Sequence, residues 1–392
     1  MALLRKFFSK YGLIGPDLEL EENVLITINQ EGKIKEINTK VRSPPTDNVS
    51  CYNSHLLVPK FINAHTHIGD ASLKDLAYNK TLDEAVGENG LKFETEKNPK
   101  FDRIRAMRLA LLEMIECGIS TCFDFRENGL QGILELIEAS KALPISVYIL
   151  GRPQNSNNLE ELVPYIKGLG LSTPIYYKME EIQSFKSFIE NKNLWLGTHI
   201  AETQEVVLNA INKFGISDLQ LALKYLKPNF LVHCTSLNHE ELLSIPPDIF
   251  IIFCPRSNAY FSLGFPPISY FMSNLAYKIG LGTDNVMVTP PNILEELRWT
   301  LYRLKEENIH PSPLQALKMI TTNPSSFFSL NTGIIQVGAW ADLLVINLHN
   351  PRTEYGRNPI FSLLFRSMIP QDIDLDLFHG EVIIYEELKK QN

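Results

Sequence analysis

A (β/α)8 TIM barrel with a small β-sandwich-like domain is the α/β architecture that this 392-residue sequence predicts. Three observations predict it. Short apolar, β-branched runs alternate with amphipathic helical stretches from about residue 57 to about residue 330, the pattern of repeated βα units around a parallel sheet. Eight such runs stand in that interval, at 57–65, 119–125, 145–151, 168–173, 194–199, 230–234, 249–254 and 279–284, and eight strands close the barrel. The interval covers roughly 270 residues, near the ~250 typical of the fold.

Taken in order, the first run sits in "LLVPKFINAHTHIGD", residues 56 to 70, an apolar stretch ending in two histidines one residue apart. The helical stretches follow the pattern of "FDRIRAMRLALLEMIECG", with apolar residues at helical spacing and a terminal glycine. The flanks differ. "NVLITINQEGKIKEIN" reads as two alternating strands around Gln30, Glu31 and Gly32, and "GIIQVGAWADLLVINL" reads the same way near the other end. The expected division is therefore 1–57 and 331–392 as the two parts of the small β domain, with 58–330 as the barrel.

A 44% hydrophobic content supports a sizeable core. The net charge of -8 argues against nucleic acid or an anionic membrane as partner and favours a small molecule. Cys51, Cys117, Cys122, Cys234 and Cys254 form no CxxC pair, so all five are expected to be buried thiols in a reducing compartment. With Arg5, Lys6 and Lys10 interrupting the first residues and no run of membrane-spanning length, the expected location is the cytoplasm.

In a parallel barrel the strand C-termini share one face, so residues distant in sequence converge there. His65 and His67 end the first strand and, as alternate residues, share a direction. "LWLGTHIAET" ends a strand at His199, "NFLVHCTSL" at His233 and "IGLGTDN" at Asp284. Four imidazoles and a carboxylate at one mouth suit a borderline-soft divalent ion with an open position for water. Glu202, three residues after His199, is placed to turn back over that site and move protons. His55, His239, His310, His349 and His379 lie away from the strand mouths and are expected to be structural or exposed.

These motifs resemble the amidohydrolase superfamily, in the mononuclear deaminase and chlorohydrolase branch that includes cytosine, guanine and S-adenosylhomocysteine deaminases. "VPKFINAHTH" resembles the first-strand motif, "HIAE" the fifth, "VHC" the sixth, "CPRSN" the loop after the seventh and "GLGTDN" the eighth. The resemblance implies a metal-dependent hydrolase: His65, His67, His199 and Asp284 hold one zinc or iron ion, and His233 contacts the activated water or the oxyanion. Asp284 helps to take the proton from the water, and Glu202 protonates the ring nitrogen and the leaving amine. The implied reaction is deamination of an aminated heterocycle, with cyclic-amide hydrolysis or dechlorination at the same site as the alternative, and a catalytically silent scaffold as the alternative of another class.

The bridging carboxylated lysine of two-metal relatives has no counterpart in "GLGLST"; Lys178, in "PIYYKMEE", reads as a surface residue. Arg126, Arg256 and Asn258 are the candidate substrate contacts, Arg126 as an anion clamp or simply as the partner of Glu127. Tyr260 and Phe261 are candidates to stack on a flat ring or to pack in the core. A homo-oligomer is compatible with the resemblance.

Overall fold

The computed structural model describes residues 5–43, 49–87, 90–96, 102–153, 158–274 and 278–390. Strands β1 (Arg5–Ile14), β2 (Glu19–Ile28) and β3 (Ile34–Asn38) form a meander. Its second turn is the one expected from the sequence: Asn29 Oδ1 accepts from the backbone N–H of Glu31 and Lys33, and Gly32 supplies a φ of +82°. Strand β4 (Ser50–Pro59) lies parallel to β1.

Strand β5 (Phe61–His67) starts one residue later in a different sheet, so the expected strand at 57–65 is in fact the end of one strand and the start of another. Lys60 marks the junction. Its side chain is buried, with Nζ 2.5 Å from Asp376 Oδ1, and its N–H donates to the Asp342 carbonyl. An apolar run gives no sign of such a break, because both halves are equally buried.

Strands β6 (Ile119–Arg126), β7 (Ser146–Gly151), β8 (Gly168–Leu171), β9 (Trp195–Ile200), β10 (Phe230–His233) and β11 (Phe250–Phe253) follow β5 in parallel order. The eighth segment divides into β12 (Ile279–Leu281), paired with β11, and β13 (Asp284–Asn285), paired with β5. The sheet thus curls until its two edges are consecutive pieces of one segment, a TIM-barrel-like arrangement. Gly282 permits the crossing. A Cβ there would lie 2.6 Å from His65 Cβ and 2.8 Å from the His65 carbonyl oxygen. Asn63 closes the gap, accepting from Thr283 N–H and donating to Thr283 Oγ1.

Strands β14 (Leu343–Asn347), β15 (Ile373–Phe378) and β16 (Glu381–Val382) return to the first sheet, whose order is β16-β15-β14-β4-β1-β2-β3. Among the described residues, both chain ends therefore share one seven-stranded sheet. The pair of strands expected in "GIIQVGAWADLLVINL" reduces to β14. Residues 333–341 run as turns with a single bridge from Trp340 to Lys33, because Gly333 and Gly338 take φ of +72° and +89°.

The helix Arg103–Glu116 is capped by Asp102, whose side chain accepts from Arg105 N–H. It buries Met107, Ala110, Leu111, Met114 and Ile115 against the sheet, the face that its apolar spacing requires. Inside the barrel, Phe123, Phe125, Phe230, Phe250 and Phe328 form an aromatic plug beneath the strand ends. No helix among the described residues is long and apolar enough to cross a membrane.

Candidate metal centre

On β5, Ile62 and Ala64 pack into the interior cluster, and strict alternation would then turn His65 and His67 outwards. An extra residue prevents this. Asn63 faces Cys122 and Thr66 faces Asp124, so three steps on β5 match two on β6. This bulge re-aims the strand end and brings both imidazoles inward. Elsewhere the strand ends carry strained backbone: Ala201 (φ +46°), His233 (φ +72°) and Asp284 (φ +57°) are non-glycine residues in the left-handed region.

The five expected residues meet. One ligand atom each from His65, His199, His233 and Asp284 lies within 4.8 Å of all the others. His67 adjoins this group, with Nε2 3.2 Å from His199 Nε2 and 3.5 Å from Asp284 Oδ1. His65 Nε2 is 3.3 Å from the same carboxylate oxygen. Glu202, just beyond β9, has Oε1 3.6 Å from His233 Nε2. The Phe125 ring closes the floor, its centroid 4.4 Å from that of His65.

The hydrogen bonds around these rings decide what a cation would find. His199 Nδ1 donates to the Leu171 carbonyl at 2.8 Å, and His67 Nδ1 donates to Glu127 Oε1 at 2.7 Å. In neutral rings, both Nε2 atoms then carry lone pairs that face each other at 3.2 Å. Such a contact is repulsive unless a positive charge lies between them. His233 Nδ1 donates to Asn258 Oδ1, leaving His233 Nε2 without a partner, and neither nitrogen of the buried His65 has a hydrogen bond. Four imidazoles and a carboxylate, with these lone pairs unclaimed, fit a divalent ion such as zinc.

Charge states agree with that fit. Burial drives the His65 imidazole down to about 3 and holds His199 well below the usual histidine range, so both stay neutral. Burial opposes ionisation of Asp284, but His65, His233 and His67 outweigh it and hold the carboxyl well below its ordinary value. Ser257 Oγ donates to Asp284 Oδ2 at 2.5 Å and leaves Oδ1 for the imidazoles. For Glu202, burial dominates and raises the carboxyl above its ordinary value.

The three candidate substrate contacts separate. Arg126 follows Phe123 and Phe125 on β6 in the outward register, and its guanidinium pairs with Glu127 at 3.1 Å and Asp124 at 3.5 Å; of the two roles expected for it, the structure shows the partner of Glu127. The segment after β11 is a short helix, Pro255–Tyr260, and not a loop; from it Arg256 bonds Glu296 of the helix Ile293–Glu306 and the Pro290 carbonyl that precedes that helix. Asn258 reaches the site and orients His233. Phe261 packs with Leu73, Ala77, Ala85 and Met287, whereas Tyr260 is partly exposed. Lys178 is exposed, as expected. The expectation of five buried thiols fails at Cys51, which is exposed because the outer end of β4 carries little cover, while the other four are buried.

Glu127, Lys92, Arg152 and Ser257 contact the ligand-bearing residues or their partners without standing out in the sequence as a group. "RENG" signals a turn, and nothing in it reports that Glu127 reaches His67.

A barrel mouth of this composition is the framework of a metal-dependent hydrolase. The model of the amidohydrolase family matches residues 56–373, and the chain belongs to that family. It is 34% identical over 382 residues to an uncharacterised protein of Methanocaldococcus jannaschii, covering 94% of this chain and 97% of that one. Against a 5-methylthioadenosine/S-adenosylhomocysteine deaminase of Pyrococcus furiosus the identity is 27%, covering 91% and 90%. The crystal structure of a zinc-complexed atrazine chlorohydrolase from Arthrobacter aurescens superposes with a TM-score of 0.83 at 16% identity, covering 98% of both chains.

Proposed function

We propose that this hydrolase deaminates an aminated N-heterocycle, with water as the second substrate and ammonia as the product, and that residues 58–330 carry the reaction. The observation that carries this reading is the pair of imidazole lone pairs, His67 Nε2 and His199 Nε2, facing each other at 3.2 Å in a buried site. His65, His67, His199 and Asp284 would hold one zinc ion, with His233 beside it. Zinc bound there supplies Lewis acidity, lowering the pKa of a water to about 7.

The chain's own groups manage the protons. Asp284, ionised, accepts a proton from the attacking water through Oδ1 while Ser257 fixes Oδ2. Glu202, raised by burial, keeps a proton nearer neutral pH and gives it to the ring nitrogen or the departing amine. With its Nδ1–H committed to Asn258, a neutral His233 presents a lone pair at Nε2. In that tautomer Nε2 is placed to accept a hydrogen bond from the attacking water, with Glu202 Oε1 3.6 Å away. The deaminase relative from Pyrococcus furiosus supports ammonia as the leaving group; the chlorohydrolase neighbour supports the same site expelling chloride.

The test is ammonia release by zinc-loaded protein over a panel of purines, purine nucleosides, pyrimidines, pterins and triazines. Release from any aminated ring, abolished by chelation and restored by zinc, supports the proposal. Turnover confined to chlorinated rings or cyclic amides overturns the leaving group. Failure to bind zinc at all overturns the metal centre and favours a scaffold.

A further inference from the structure

Glu127 follows β6 and is 3% exposed. Its Oε1 lies 2.7 Å from His67 Nδ1, 2.7 Å from Lys92 Nζ and 3.3 Å from Arg152 Nη1, and its Oε2 lies 3.1 Å from Arg126 Nη2. Three cations from three segments therefore pin one carboxylate: Lys92 from the helix Leu91–Glu96, Arg126 from the end of β6 and Arg152 from the loop after β7.

Two of those cations have a second carboxylate, Lys92 Nζ lying 3.1 Å from Asp70 and Arg126 3.5 Å from Asp124, while Arg152 makes its ion pair with Glu127. The distinctive contact is with His67. His199 and His233 direct Nδ1 to neutral acceptors, a carbonyl and an amide oxygen, whereas His67 directs it to a carboxylate. A carboxylate only accepts, so Nδ1 bears the proton and Nε2 alone is left to bind a cation.

We propose that Glu127 is a positioning residue for the metal centre: it locks the ring orientation and the Nδ1–H tautomer of His67, so that Nε2 is the ligating nitrogen and a stronger donor than a free imidazole. The proposal rests on the metal-centre reading above. Glu127 acts through His67 and touches no reacting atom.

The test uses the full-length protein, with zinc and cobalt(II) as probes. E127Q keeps the size and an acceptor oxygen but loses the charge. It is expected to weaken zinc binding by roughly 10–100-fold in chelator competition and to change the ligand-field spectrum of the cobalt form. H199A serves as the reference for loss of a direct ligand. In zinc-loaded wild type, histidine-selective 15N NMR, with His67 assigned through H67N, is expected to show a proton on Nδ1 and none on Nε2. That measurement decides the matter even if E127Q does not fold. Parental zinc affinity and an unchanged cobalt spectrum in E127Q, or a proton on His67 Nε2 in the zinc form, would overturn the role. If H199A also binds zinc as tightly as the parent, the metal-centre reading itself fails.

Discussion

Glu202 and Asp218 are both carboxyls raised by burial, yet their surroundings give them different work. Glu202 stands 3.6 Å from His233 at the open face of the site. Replacing it in E202Q removes the proposed proton donor and leaves the proposed metal ligands in place. Turnover is expected to fall by about 10²–10⁴-fold at unchanged zinc content, read by ammonia release and metal analysis on one preparation. Asp218 is fully buried, accepts from Ala201 N–H at 2.8 Å, and is pushed up to about 6 by burial against those hydrogen bonds. A carboxyl raised on folding is favourable below its unfolded value and loses that advantage as pH rises through its folded one. Relative to D218N, the wild type is therefore expected to lose about 2 kcal/mol between pH 4 and pH 7. Urea unfolding of both proteins across that range is the check; a pH-independent difference would contradict it. At this scale the motif residues His65, His199, Glu202, His233 and Asp284 were legible, because strand ends of a parallel barrel converge whatever the loops do. Glu127 was not, since its importance lies in a side-chain contact across 60 residues.

Two junctions between elements hold the mouth in shape. Gly282 lets the eighth segment pass His65 and bend, carrying Asp284 into the cluster. Lys60, at the junction between the sheets, locks the end of β4 to β15 within the seven-stranded sheet through Asp376; Tyr385 also donates to Asp376 at 2.5 Å. In K60M the Asp376 charge remains buried with its cation gone, and a loss of about 3–5 kcal/mol is expected. The double variant K60M/D376L, which removes both charges, is expected to recover much of that loss. Equilibrium unfolding of the two variants measures it, and equal destabilisation would show that the charges do not compensate each other. Sequence periodicity located all eight barrel strands within a few residues but merged β4 with β5, because burial on both sides of Lys60 erases the alternation that marks a boundary.

For the whole molecule, a cation held as proposed by His65, His67, His199 and Asp284 would cross-link β13 and β5, at one edge of the curled sheet, to β9 in its middle. A cation that is held by the folded arrangement and not by the dispersed chain stabilises the fold, so on the proposed metal centre removal of zinc is expected to lower the melting temperature and its return to restore it. Free zinc at a hundred times its dissociation constant corresponds to about 2.7 kcal/mol. Calorimetry of chelator-stripped and zinc-loaded protein is the measurement, and identical transitions would contradict a structural contribution from the site.

The amino-acid order by itself determined the alternation of strand and helix, the terminal β segments and the residues that the strand ends present, because periodicity and turn chemistry are local. Only the tertiary structure decided which face of β5 carries the histidines, where Arg126 and Arg256 spend their charges, and that Glu127 grips His67. Those outcomes depend on a one-residue bulge, a close backbone crossing and side-chain contacts between distant segments, none of which leaves a periodic trace in the chain.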